Sequence, residues 1–218
     1  MTRASQGRAP SSSLGYALAL EIAIIVADAP PLITLAAVQS LDYLLLPAVP
    51  VIIPDAVFYE ATHAAGRLGA QEILQWYRVH EDLVRVEPTN AFGDEIALRE
   101  ALPGRRPARD LGERSALEVI RGYPLADNAR AILLSDDRDA ERLVVLEPNT
   151  TVLLTTWDYL RQLEQARRIQ SADFVMEAVG RTGRYPPRRD LWSGHDPETR
   201  DAVRAVIEGA RRGLSKPG

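Results

Sequence analysis

The sequence predicts an α/β fold: a doubly wound, mainly parallel five-stranded sheet with helices on both faces. Three observations carry that expectation. Short β-branched apolar runs alternate with segments of helical period, the order that lays down parallel strands and crossover helices. The chain has 218 residues, of which 46% are hydrophobic, enough to bury a sizeable core. Acids stand where the apolar runs stop, on the edge where open parallel sheets carry their sites.

The first strand is expected near 22–27, in "IAIIVA". It ends on Asp28, and Pro30 and Pro31 then suit the first turn of a helix over 31–44, where Leu32, Leu35, Val38 and Leu41 keep helical spacing. A second strand near 50–53 leads through Pro54 into a helix over 55–65, with another over 69–78. The third strand, near 83–86, precedes a helix over 93–102 and an exposed Pro- and Arg-rich loop, "PGRRPAR", 103–109. A helix over 110–121 follows, then a strand over 131–135, a helix over 137–144 and a last strand over 151–154. Helices over 156–166, 171–180 and 197–213 complete the chain. Residues 1–20 read as an N-terminal extension, 21–180 as the main domain and 181–218 as a basic C-terminal extension.

Composition narrows the chemistry. Cysteine is absent, which excludes disulfides, thiolate metal sites and a cysteine nucleophile. His63, His80 and His195 have no ligand-like spacing, so a metal here is a hard cation held by carboxylates. Net charge is −4, yet from Arg181 onward eight Arg and one Lys face five acids, so a basic tail follows an acidic body. "RTGRYPPRR", 181–189, reads as a phosphate-contacting strip or, more plainly, as a solvated linker. The N-terminus imitates a secretory signal, but Glu21 interrupts its apolar stretch and the β-branched run reads as a first core strand; a cytoplasmic protein without a membrane span is expected.

In the usual doubly wound order the first and fourth strands are neighbours flanking the point where strand order reverses. Asp28 ends the first, and Ser135, Asp136 and Asp137 end the fourth. Two further acids interrupt apolar helix faces. Glu60 shares a stripe with Val57, Ala61 and Ala64, and Glu113 with Ala116, Leu117 and Ile120. A charge on an inward stripe is costly unless something pairs with it, and a metal ion pairs with several acids at once. The plainer reading is local: Asp28 and Asp136 as helix caps, Asp110 with Glu113 as a capping box, Glu60 as a dipole-favoured acid.

The motifs, taken in order, resemble the PIN-domain nucleases, and in particular the compact prokaryotic VapC-like toxins of toxin–antitoxin pairs. "IIVADAPPLITLA" is similar to the family's opening strand, acid and Leu-rich helix, and "VIIPDAVFYEAT" to its Pro-led helix carrying Glu. "DLGERSALEVI" resembles its Gly-Glu motif, "AILLSDDRDAERL" its strand ending in a hydroxyl residue and Asp, and "TVLLTTWDYLRQLEQARRIQS" its last strand and helix. The resemblance implies metal-binding or catalytic acids at Asp28, Glu60, Glu113 and one of Asp136 or Asp137, with alignment on Ser135 selecting Asp137. Where the family often has a small hydroxyl residue after the first acid, this chain has Ala29 and Pro30.

What the resemblance implies is an endoribonuclease using Mg²⁺ or Mn²⁺ and a metal-activated water, with Asp28 and Asp137 on the metal, Glu113 completing the site and Glu60 in an outer or second-metal role. RNA as substrate, a small antitoxin partner and a homodimer come from the resemblance alone. Carboxylates repel one another and a hard divalent cation relieves that repulsion, which suits in-line phosphodiester hydrolysis without a covalent nucleophile. Because an acidic crevice repels phosphate, RNA contacts are sought outside it, at Arg105, Arg106, Arg109 and Arg138, each of which also reads as ordinary surface charge.

Competing acid-rich folds lack their parts here. A phosphotransfer receiver needs a lysine late in the core, and the sole Lys is Lys216. A haloacid-dehalogenase-type phosphatase needs a second Asp two residues after the first, where Pro30 stands, and no G-x-G-x-x-G marks a dinucleotide site. The alternative from another class is a catalytically inactive PIN-like module that binds protein or RNA.

Overall fold

The structure is a computed structural model, which describes residues 19–64, 66–106, 108–142, 150–185 and 196–213. Five strands, β1 Glu21–Ala27, β2 Val51–Pro54, β3 Val84–Glu87, β4 Ala129–Leu134 and β5 Thr151–Leu154, form one sheet in the order β3-β2-β1-β4-β5. Every pairing is parallel, as the alternation of strand and helix predicts. Strand order reverses between β1 and β4, so the crevice lies beyond Ala27 and Leu134.

Both faces of the sheet are apolar because both are covered. Ile24 and Val26 of β1 point to a smaller core shared with Ile52, Leu133 and α5 (Leu111–Gly122), whereas Ile22, Ile25 and Ala27 join the larger core. Ile22 and Ile25 share a face despite being three apart. The register against β4 shifts between Ile22 and Ile24, an extra residue that reverses the alternation. The larger core takes in α1 Ala29–Ala36, α2 Asp55–Thr62, α3 Ala70–Val79, α6 Thr156–Gln165, α7 Ala172–Arg181 and α8 Pro197–Gly213. α4, Asn90–Ala101, packs on α5.

The helix expected over 31–44 is in fact two pieces. α1 stops at Ala36, Gln39 takes a left-handed φ of 55°, and a 3-10 turn follows over Leu41–Leu45. Ser40 N–H bonds to Leu35 O and Gln39 N–H to Ala36 O, the Schellman pattern that satisfies the last carbonyls. Periodicity continues across the break because Leu41 still packs inward. α4 starts three residues before the expected 93, where Thr89 Oγ1 accepts from Phe92 N–H. Of the helix expected over 137–144, residues 140–142 are helical and the remainder from 143 lies outside the described residues.

α8, set apart by the sequence as part of an extension, lays Val203 and Ile207 in the same core as β1. Among the described residues no helix is long and apolar enough to cross a membrane.

Candidate active site

Asp28 is tied to the end of β4 by backbone and side chain together. Its N–H donates to Leu134 O at 3.0 Å, continuing the ladder one residue past the strand, and its Oδ2 accepts from Ser135 Oγ at 2.8 Å. Oδ1 accepts from Ala29 N–H at 2.8 Å, so Asp28 also caps α1 ahead of Pro30 and Pro31. Asp28 is only 9% exposed. Burial raises its pKa, the Ser135 and Ala29 bonds oppose the rise, and the charges of Glu60 and Asp137 add to it.

Ser135 connects two acids, because its hydroxyl donates to Asp28 and accepts from Asp137 N–H at 3.3 Å. Asp137 itself is exposed, with Oδ1 accepting from Asp139 N–H at 3.0 Å. Asp136 points elsewhere: its two oxygens accept from Thr156 N–H and Thr156 Oγ1, each at 2.8 Å, pinning the start of α6 to the end of β4. Burial lifts Asp136 to about 6, the Thr156 bonds hold it down, Asp28 pushes it up and the Arg184 guanidinium lowers it. Both oxygens are thus engaged within the fold, while Asp137 faces the crevice.

Glu113 enters from the first turn of α5, half-buried, and its pKa is raised by burial and then by the nearby charges of Asp28, Asp137 and Asp110. Gly112 lets that turn approach: a Cβ there would stand 3.3 Å from Asp28 Oδ1. Asp110 forms no side-chain cap on α5, so the capping-box reading of Asp110 and Glu113 does not hold. Glu60 corrects the sequence expectation of an inward charge. Val57 and Ala61 of its stripe are buried, but Glu60 sits on the exposed rim, 3.7 Å from the Arg67 guanidinium. It still lies near enough to Asp28 to act on its charge.

The arginines divide. Arg105 is paired at 2.9 Å with Glu95, a carboxylate 3% exposed that Arg99 also holds at 3.1 Å, so Arg105 fastens the 103–109 loop to α4. Arg106, Arg109 and Arg138 are exposed. Arg184, from the tail segment, is half-buried; its Nε donates to Thr34 Oγ1 at 2.8 Å and a terminal nitrogen to Pro30 O at 3.1 Å. Sequence reading missed the anchoring role of Arg184 and Thr156, since neither contact is local. Arg188, Arg189 and His195 lie outside the described residues.

The crevice therefore brings Glu113 and Asp137 within charge range of Asp28, which Ser135 holds, with Glu60 on the rim and Asp136 turned toward α6. Among the described residues no three acid or histidine side chains stand grouped to hold a metal ion. Mg²⁺ needs no such cage, because it takes one or two carboxylates, keeps several waters and accepts substrate phosphate oxygens. An all-oxygen set around a buried, mutually repelling carboxylate fits Mg²⁺ or Mn²⁺. No curated protein and no solved structure matches the chain. A family model described as a PIN domain matches residues 24–185, most of the chain and every strand but the first residues of β1, and the chain belongs to the PIN-domain family.

Proposed function

We propose that this protein is a metal-dependent endoribonuclease that hydrolyses RNA phosphodiesters, and that it acts as the toxin of a toxin–antitoxin pair. PIN domains are generally nucleases, which gives the coarse activity. The observation that carries the finer reading is Asp28: a buried carboxylate, locked to the end of β4, facing the charges of Glu60, Asp137 and Glu113. A fold that needed only a helix cap at this position has no use for acids assembled around it. The order and spacing of the motifs support the toxin, antitoxin and homodimer parts of the proposal.

In this reading Asp28 and Asp137 hold Mg²⁺ or Mn²⁺, and Glu113 completes the site or orients the attacking water. The bound cation supplies charge neutralisation and a water of lowered pKa. Ser135 keeps Asp28 in place and ties Asp137 to it through the backbone. Glu60 acts from the rim, and Asp136 holds α6 against the site through Thr156. Ionised carboxylates are required, so in the metal-free site the raised pKa of Asp28 and Glu113 makes protons compete with the cation, and metal affinity falls as pH is lowered.

The test is incubation of purified protein with a panel of structured small RNAs in Mg²⁺, Mn²⁺ or EDTA, beside Asp28→Asn and Glu113→Gln. Metal-dependent cutting that drops about 100-fold or more in both variants is expected, the order seen on removing a group that stabilises developing charge. Equal cutting by wild type and variants contradicts the site, and a folded protein that retains RNA without cutting it supports the inactive binding-module alternative.

A further inference from the structure

Beside the acids lies a cavity of about 320 Å³, walled by Tyr59, His63 and Arg67 on the α2 side, Arg99 of α4, and the Ala108–Gly112 turn that leads into α5. It shares Glu60 and Gly112 with the crevice, and Gly112 is the residue that abuts Asp28. A volume at the low end of the ~300–1,000 Å³ typical of ligand pockets suits one nucleotide and excludes a duplex.

Its charge is opposite to that of the crevice. Glu95 is one carboxylate shared by two guanidiniums, those of Arg99 and Arg105, which leaves an excess of positive charge at the wall. Arg67 makes a loose, exposed pair with the Glu60 carboxylate at 3.7 Å and donates to the Glu60 backbone carbonyl. Arg109 forms no ion pair or hydrogen bond among the described residues, although it lines the cavity. The wall also carries a π-surface: the exposed His63 ring stacks on Tyr59 with centroids 4.7 Å apart and planes 11° from parallel, and Phe92 backs Tyr59 at 5.4 Å. Exposed rings beside an excess of guanidinium charge are the combination that holds a splayed-out base and its phosphate in single-stranded RNA.

We infer that this cavity is the subsite for the nucleotide adjoining the cleaved phosphodiester, with Arg109 and Arg67 on its phosphate and the His63–Tyr59 stack under its base. The inference rests on the ribonuclease reading above and gives it a direction: the RNA runs from the acid crevice over Gly112 into the arginine-lined cavity. It also makes the substrate single-stranded at this position.

Affinity is measured without catalysis, by fluorescence anisotropy of a labelled single-stranded RNA decamer with the full chain in EDTA, over a range of salt. Arg109→Ala is expected to weaken binding about 5- to 10-fold and to lower the slope of log affinity against log salt by about 0.7. His63→Ala is expected to weaken binding about 5-fold or more with the slope unchanged, and Arg204→Ala, on α8, to leave both alone. Wild-type affinity in Arg109→Ala and His63→Ala, or no retention of RNA by the wild type, overturns the subsite. Cleavage in Mg²⁺ is read in parallel with Asp28→Asn. RNA cut by wild type and by both cavity variants but not by Asp28→Asn overturns the subsite alone. Affinity lost in the cavity variants, with no cutting by wild type, upholds the cavity as a single-stranded RNA site but overturns its place beside a cleaved bond, together with the ribonuclease reading.

Discussion

At the scale of single residues, Asp28 and Asp136 carry the cost that function imposes on the fold. Asp136 is lifted to about 6 in the folded protein, against about 3.9 for an unperturbed Asp. The folded state then binds its proton more tightly than the unfolded chain, so this contribution to stability is fully present below about pH 4 and lost as pH rises to about 6. Asp136→Asn removes it. In EDTA, the wild-type Tm minus the variant Tm should fall by about 4–8 °C between pH 4 and pH 7, the shift that about 2 kcal/mol makes in a domain of this size; a difference constant with pH contradicts the account. Asp28 and Ser135 were legible in sequence because each follows an unbroken buried run. Glu60 was misplaced, since a helical stripe gives a direction around the axis and not the point along it where the stripe leaves the core. Asp136 and Asp137 point to opposite uses, and only the partner, Thr156 of α6, separates them.

At the scale of elements, the site depends on how α4 and α5 are joined. The segment around Arg105 is held by Glu95, whose carboxylate the Arg105 and Arg99 bonds keep below its ordinary pKa. Glu95→Gln leaves two guanidiniums short of a counter-charge. Because Arg99 and Arg105 are 29% and 34% exposed, solvent screens part of that loss, and the expected effect is a local loosening of the segment and not global unfolding. Limited trypsin digestion reads it directly: faster cutting after Arg105 and Arg109 is expected, and an unchanged rate contradicts the clamp. Gly112 tests the other end of this turn. Gly112→Ala places a methyl 3.3 Å from Asp28 Oδ1, so RNA cleavage should fall about 10-fold while Tm stays within about 2 °C; unchanged cleavage shows that the approach is not needed. Sequence periodicity found these helices but not the break at Gln39, because apolar spacing continues through the Schellman turn into the 3-10 segment.

At the scale of the whole molecule, the strand order was legible because parallel strands with crossover helices admit few arrangements, and one of them puts β1 beside β4. The docking of α8 was not legible, since nothing local tells where an amphipathic terminal helix lays its apolar face. Val203 and Ile207 are fully buried in the main core, so cutting the chain after Tyr185 exposes what they cover. The expected loss is about 3–6 kcal/mol from those two side chains, seen as a Tm lower by about 6 °C or more, and a truncated chain as stable as the whole contradicts this packing. The molecule then reads as one sheet whose carboxyl edge brings acids within charge range of Asp28. Its most direct test is the rate of RNA cleavage against Mg²⁺ concentration for wild type, Asp28→Asn and Asp136→Asn. The account predicts saturable metal dependence in the wild type, about 100-fold or greater loss in Asp28→Asn at every concentration, and a loss of about 10-fold or less in Asp136→Asn; cleavage that is independent of metal, or undiminished without the Asp28 carboxylate, contradicts it.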